Sequence, residues 1–280
     1  IAETCDIGSP DPLHEENQSP TPGLIHRYPD RVALTASSEC AMYCRHCTRK
    51  RFVGQPVQRT SWSSIQAGIE YIARHEQIRD VLITGGDPLI LSNDRLERII
   101  KTIRAIAHVE IIRIGTRVPC TLPQRITDDL CEMLQKYHPI WINTQFNHPK
   151  ELTEEAAAAV DKLIRAGIPV GNQSVLLRGV NDNLETMKQL LHGLLKMRVR
   201  PYYLYQCDRL IGTSHFWTPL KTGLELIEHL QGYTTGFAVP QFIVDSPIGK
   251  IPLSYSKLIE LSDDHAILRN YEGKVFRIEC

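Results

Sequence analysis

Cys40, Cys44 and Cys47 crowd into one short stretch with the spacing Cys-x3-Cys-x2-Cys. Four thiolates would close a structural zinc site or saturate an iron–sulfur cluster, whereas three leave one metal position open. The spacing points to a [4Fe–4S] cube whose fourth iron is free to bind a small molecule, so it argues for chemistry rather than scaffolding. A zinc knuckle completed by His46 is the blander alternative, but His46 sits between two of the cysteines and would chelate under strain. Eight cysteines in 280 residues are too sparse for a disulfide-stapled secreted domain. Cys5, Cys120, Cys131, Cys207 and Cys280 are scattered and read as buried or idle thiols.

Other residues could share a site with the thiols. In Thr84-Gly-Gly-Asp-Pro88, Gly85 and Gly86 permit a close backbone approach to a ligand, and Asp87 could accept hydrogen bonds from an ammonium group. In Gly171-Asn-Gln-Ser-Val175, a buried Asn172 or Gln173 must be satisfied, either by a polar ligand or by an internal network. Arg27 and Arg31 flank a proline and could clamp a phosphate, although a surface ion pair with Asp30 is the commoner use of such a pair. Lys250, in Ile248-Gly-Lys250, becomes a nucleophile for an aldehyde if partly desolvated. Asp208 and Asp245 each follow an apolar run, and two carboxylates at one mouth repel unless a cation lies between them.

The cysteine motif resembles the signature of the radical S-adenosylmethionine (SAM) superfamily. The longer run from Cys40 to Gly54, Cys-Ala-Met-Tyr-Cys-Arg-His-Cys-Thr-Arg-Lys-Arg-Phe-Val-Gly, is similar to the lysine 2,3-aminomutase family, and the likeness extends from about Asp11 to Gly273. The resemblance implies a radical SAM, pyridoxal 5′-phosphate (PLP)-dependent aminomutase that moves a nitrogen from C2 to C3 of an amino acid. It implies SAM beside Gly85, Gly86 and Asp87, and the PLP phosphate on Arg27, Arg31 and Gln173 with Tyr28 nearby. It also implies that Lys250 is the Schiff-base lysine, that Arg49 holds the substrate carboxylate, and that Asp208 and Asp245 bind a distal ammonium. A basic substrate follows, lysine first and arginine as its rival. A reductant such as flavodoxin or ferredoxin would serve the cluster.

The elements that must position these residues alternate. Strands are predicted at 31–36, 80–84, 110–114, 140–143, within 168–177, at 200–205 and at 241–244. Helices are predicted at 63–75, 93–107, 127–137, 153–166, 184–197 and 221–231, with Thr127 and Thr153 as N-caps and Gly167 as a stop. Six strand–helix repeats argue for parallel strands with right-handed crossovers. The expected fold is α/β: an N-terminal arm at 1–30, a partial (βα)6 radical SAM barrel at 31–240, and a short C-terminal segment carrying the lysine at 241–280. Such barrels place chemistry at the C-terminal ends of their strands, and the motifs above follow strands, except that Arg27 and Arg31 precede the first.

Formal net charge is zero, which argues against a nucleic-acid surface, and no apolar run is long enough to span a bilayer. The first residues lack the features of a signal peptide, so a cytoplasmic setting is expected. Compared with the family pattern, the glycine run before Lys250 is contracted, Asn183 stands where a zinc-binding cysteine falls, and Gln145 stands where a histidine is common. No zinc is expected, and homo-oligomerisation is left open. The alternatives are a radical SAM enzyme that abstracts hydrogen without PLP, and a non-catalytic iron–sulfur protein, a role to which an open three-thiolate site is poorly suited.

Overall fold

The computed structural model describes residues 7–55 and 60–279; Cys5 and Cys280 fall outside them. Nine strands form one sheet in strictly sequential order: β1 (Leu24–Tyr28), β2 (Arg31–Ser37), β3 (Asp80–Gly85), β4 (Ile111–Gly115), β5 (Ile140–Thr144), β6 (Val170–Leu176), β7 (Arg200–Gln206), β8 (Gln241–Ser246) and β9 (Gly249–Leu253). Strands β2 to β8 are mutually parallel, and β1 and β9 are antiparallel at the two edges. The parallel strands are joined by α1 (Trp62–Arg74), α2 (Asn93–Arg104), the short α3 (Val118–Thr121) with α4 (Asp128–Gln135), α5 (Glu154–Arg165), α6 (Leu184–Lys196) and α7 (Leu220–Leu230). This is the partial (βα)6 barrel that the alternation predicted.

Each helix packs one apolar stripe onto the sheet. Ile65, Ile69 and Ile72 of α1 and Leu96, Ile99, Ile100 and Ile103 of α2 are buried in one continuous core with Val81, Ile83, Ile112 and Ile114 of the strands. Caps fix where the helices begin. Thr127 accepts from the Leu130 amide at 3.2 Å and Thr153 from the Ala156 amide at 3.2 Å, and Gly167 turns the chain at φ +74° after α5.

The structure differs from expectation at both edges. The end of the N-terminal arm is not loose: it forms β1 and joins the barrel sheet. Lys250 is not in a loop. It lies in β9, joined to β8 by the turn at Pro247-Ile248, with Ser246 opposite Gly249 and Asp245 opposite Lys250. Beyond it, β10 (Leu258–Leu261), β11 (His265–Arg269) and β12 (Val275–Glu279) form a separate antiparallel sheet that short-range sequence pattern did not reveal.

No β1–β9 pairing joins the two ends of the sheet. Side chains bridge them instead. Arg27 of β1 meets Asp245 of β8 at 2.8 Å, the Lys250 amide of β9 donates to Tyr28 Oη at 2.9 Å, and Gln18 Nε2 donates to the Pro247 carbonyl at 3.0 Å.

Gly85 ends β3 at φ +126°, and a Cβ there would collide with the Ser37 carbonyl oxygen. Gly85→Ala is expected to cost about 1–3 kcal/mol from backbone conformation alone, measured as a lowered urea midpoint with unchanged slope.

Candidate active site

All the functional candidates converge on one cavity of about 610 Å³ at the C-terminal ends of the parallel strands, lined among others by Cys40, Cys44, Cys47, Arg49, Gln173, Asp208 and Lys250. The cysteine loop leaves β2 directly. Gly86 lies against the Glu39 backbone much as Gly85 lies against Ser37. The two glycines thus have a protein reason to be there: β3 ends flush against the start of the thiol loop. They also line the cavity, where their backbone is open to a ligand.

Asp87 shapes this corner. Its carboxylate accepts from Thr116 Oγ1 at 2.6 Å, the Arg117 amide at 2.7 Å and the Leu89 amide at 3.1 Å. Burial raises its pKa, against the pull of those donors. Sequence reading gave Asp87 an ammonium to meet, but its oxygens already serve three protein donors and hold the ends of β3 and β4 together. Arg117 then extends to the thiols, donating to Cys44 Sγ at 2.9 Å, to the Gln145 carbonyl at 3.0 Å and to Glu151 at 2.8 Å. Burial pushes Cys40 up to about 12, helped by Asp87 and by the other two thiols. His46 is pulled down to about 4 by burial, and its buried Nε2 has no hydrogen-bond partner.

At the open seam, Asp245 carries two cations: Arg27 at 2.8 Å and Lys250 Nζ at 3.3 Å. Lys250 Nζ also lies 5.6 Å from the centroid of the Tyr28 ring and 5.8 Å from that of Tyr205. Arg31 pairs with Asp30 at 3.1 Å, as the bland reading held, while its guanidinium stacks 3.9 Å over Tyr28. In β6 the two amides part company. Asn172 is an internal strut, exchanging hydrogen bonds with the Phe146 backbone, whereas Gln173 lines the cavity.

Arg49 donates to Thr84 Oγ1 at 3.0 Å and to Glu15 Oε1 at 2.9 Å. Glu15 is only 5% exposed and also meets Arg51 at 3.1 Å; Asp11 and Glu16 complete the pairing of Arg51. Burial would raise the Glu15 pKa, but Arg49 and Arg51 override it and hold the carboxyl at about 2. Asp208 is the opposite case: burial, then Asp245 and Glu15, push it up to about 7. Glu15, Arg117 and Tyr205 were missed in the sequence. The acidic stretch 11–16 facing the basic run 45–51 was the available signal for Glu15; nothing local distinguished Arg117.

These features define a radical SAM barrel, and comparison with known proteins agrees. The Radical SAM superfamily model matches residues 35–191, and a Lysine-2,3-aminomutase model matches 227–278. The fold is similar to a radical SAM methyltransferase from Sphaerobacter thermophilus (TM-score 0.53, 16% identity, covering 79% of this chain and 67% of that one). The chain is 56% identical to L-lysine 2,3-aminomutase of Fusobacterium nucleatum over 95% of its own length and 63% of the relative's. It is 49% identical to a putative L-lysine 2,3-aminomutase of Aquifex aeolicus (97% of this chain, 74% of the relative) and 49% identical to glutamate 2,3-aminomutase of Clostridioides difficile (96% and 64%). The chain belongs to the lysine 2,3-aminomutase family of radical SAM proteins. It spans just under two thirds of the length of the Fusobacterium relative.

The cofactors of that family are a [4Fe–4S] cluster, SAM and PLP, and the residues present fit them. Three thiols line one wall of the cavity, with the unpartnered His46 Nε2 beside them. Among the described residues no three His, Cys, Asp or Glu side chains converge as a single metal ion requires; a cube takes one thiolate at each of three corners, so its ligands stay apart. Arg27, Arg31, Tyr28, Gln173 and Lys250 supply cations, an aromatic face, an amide and an amine for a phosphorylated aldehyde. No described helix is long and apolar enough to cross a membrane.

The depressed pKa of Glu15 makes the arm's anchor pH-dependent. Its folded value of about 2 lies below the ordinary 4.5, so it contributes stability above pH 4.5 that is lost as pH falls through 2, amounting to roughly 3 kcal/mol at neutral pH. Glu15→Gln is expected to lower stability by about that much at pH 7, with the gap to wild type closing between pH 4.5 and 2 in urea titrations.

Proposed function

We propose that this chain carries the active site of a radical SAM, PLP-dependent 2,3-aminomutase that converts a basic L-α-amino acid, lysine before arginine, to its β-isomer. The observation that carries the proposal is the charge layout of the cavity at the strand ends. Half-buried Asp208, with Asp245, forms an acidic pole in the same chamber as Arg49, the three thiols and Lys250. A substrate with a distal carboxylate would meet like charge at Asp208; a distal ammonium would be stabilised there. The C. difficile relative is named for glutamate, so substrate choice turns on this pole.

The cluster with SAM supplies a hydrogen-abstracting radical, and PLP supplies the carbon that carries the migrating nitrogen. The chain's own residues do the rest. Arg49, held in place by Glu15 and Thr84, presents a fixed guanidinium to the substrate carboxylate. Asp208 receives the distal ammonium, which spans the chamber and fixes C3. Lys250, facing the cavity from β9, gives and takes a proton at its amine as the nitrogen of the substrate is exchanged. Arg27, Arg31 and Gln173 hold a phosphate. Leu13 and Glu15 of the arm line the chamber beside the strand ends. A low-potential one-electron donor of the flavodoxin or ferredoxin kind completes the system. The PLP-free reading keeps its own readout: SAM cleavage without amino-acid product.

Anaerobic incubation of the reconstituted protein with lysine, arginine, ornithine or glutamate, read by mass spectrometry and NMR, should yield a β-amino acid from lysine. Turnover of glutamate alone would sink the charge argument. The raised pKa of Asp208 adds a pH signature. Its ionised form binds the ammonium, so affinity for lysine should rise as pH increases through about 7, and Asp208→Asn should weaken binding and flatten that profile, as measured by calorimetry from pH 6 to 8.5.

A further inference from the structure

Asp245 is asked to do two things at once. In the substrate reading it faces a distal ammonium, yet in the structure both of its oxygens already face cations. Oδ1 meets Arg27 Nη1 at 2.8 Å and Oδ2 meets Lys250 Nζ at 3.3 Å, with the Arg27 and Asp245 side chains 9% and 12% exposed. The pairing is built in rather than incidental. Asp245 and Lys250 are directly opposite in the β8–β9 hairpin, so their side chains share one face. Arg27 reaches across the seam from β1 and is steadied by Gln18 at 2.7 Å. Among the described residues Asp208, in the same cavity, has no ion pair of this kind, and the charge of Asp245 is among the causes of its raised pKa.

We infer that Asp245 is a specificity residue masked by the two residues that hold the cofactor. Arg27 turning to a phosphate removes one cation from it. Lys250 condensing with an aldehyde removes the other: a C=N bond forms, water leaves, and an ammonium proton passes to solvent. Asp245 is then released and, with Asp208, completes the acidic pole. Cofactor loading thus switches on recognition of a cationic side chain, and by linkage the cationic ligand strengthens cofactor binding by the same factor. The inference builds on the functional reading above and is tested apart from turnover.

The probes are 6-aminohexanoate, which has the carboxylate and distal ammonium of lysine but no α-amine, and pyridoxine 5′-phosphate, which has the phosphate but no aldehyde. Calorimetry on PLP-free protein should show Lys250→Met tightening 6-aminohexanoate binding by about fivefold or more. The same change made in an Asp245→Asn background should have a much smaller effect, which separates unmasking of Asp245 from simple loss of a repelling charge. In unmutated protein, which is free of any folding defect, pyridoxine 5′-phosphate should tighten 6-aminohexanoate binding, and this coupling should vanish in Asp245→Asn. If both probes bind but do so independently, the masking idea is overturned and the functional reading stands. If neither probe binds unmutated protein, both are overturned.

Discussion

One buried carboxylate organises the chemistry of this mouth. Asp87 ties the end of β3 to the end of β4 through Thr116 and the Arg117 amide. Once the Arg117 backbone is fixed, its guanidinium has a defined reach to Cys44, Gln145 and Glu151. The thiol loop, otherwise a surface excursion, is thereby referenced to three strands of the barrel. Gly85 and Gly86 make the same corner sterically feasible. The cost of burying Asp87 is offset by three donors, which is the condition under which a buried carboxylate is tolerated.

The other side of the chamber obeys a different constraint. A sheet with seven parallel strands does not close on itself, and here its edges approach without main-chain pairing. The gap is spanned by Arg27, Asp245, Tyr28, Lys250 and Gln18. The residues expected to hold a cofactor therefore double as the fastening of the barrel. Taking charges out of water at such a seam is costly, and the cost is offset where partners meet, as Arg27 and Lys250 meet Asp245.

Most of this was legible in the chain because the signals were local. The helix stripes, the Thr127 and Thr153 caps and the short apolar strands are written at periods of 3.6 and 2, and the cysteine spacing is a property of eight consecutive residues. The cysteine loop, Gly85 to Asp87 and Asp208 gathered in one cavity because each ends or follows a parallel strand, while Arg27 and Lys250 reach it from the antiparallel edges. What stayed hidden was non-local. Strand β1 carries no strong alternation and is specified by its partner β2; Glu15 is specified by Arg49 and Arg51, more than thirty positions away. The protein partners of Asp87 and Asn172 were hidden for the same reason: Thr116, Arg117 and Phe146 lie more than twenty positions from the residues they meet. Around Lys250, too, Pro, Ile and Gly in succession conceal a two-residue hairpin turn that no local periodicity announces.

That hairpin makes loop length here a matter of parity. Side chains alternate faces along a strand, so inserting or deleting one residue between the turn and Lys250 would swing the amine out of the chamber, while a change by two would return it to the same side. Drift in the length of this segment is therefore quantised. A contracted turn can keep its lysine in service, whereas a lineage that loses an odd number of residues must either rebuild the register or abandon the lysine's place opposite Asp245.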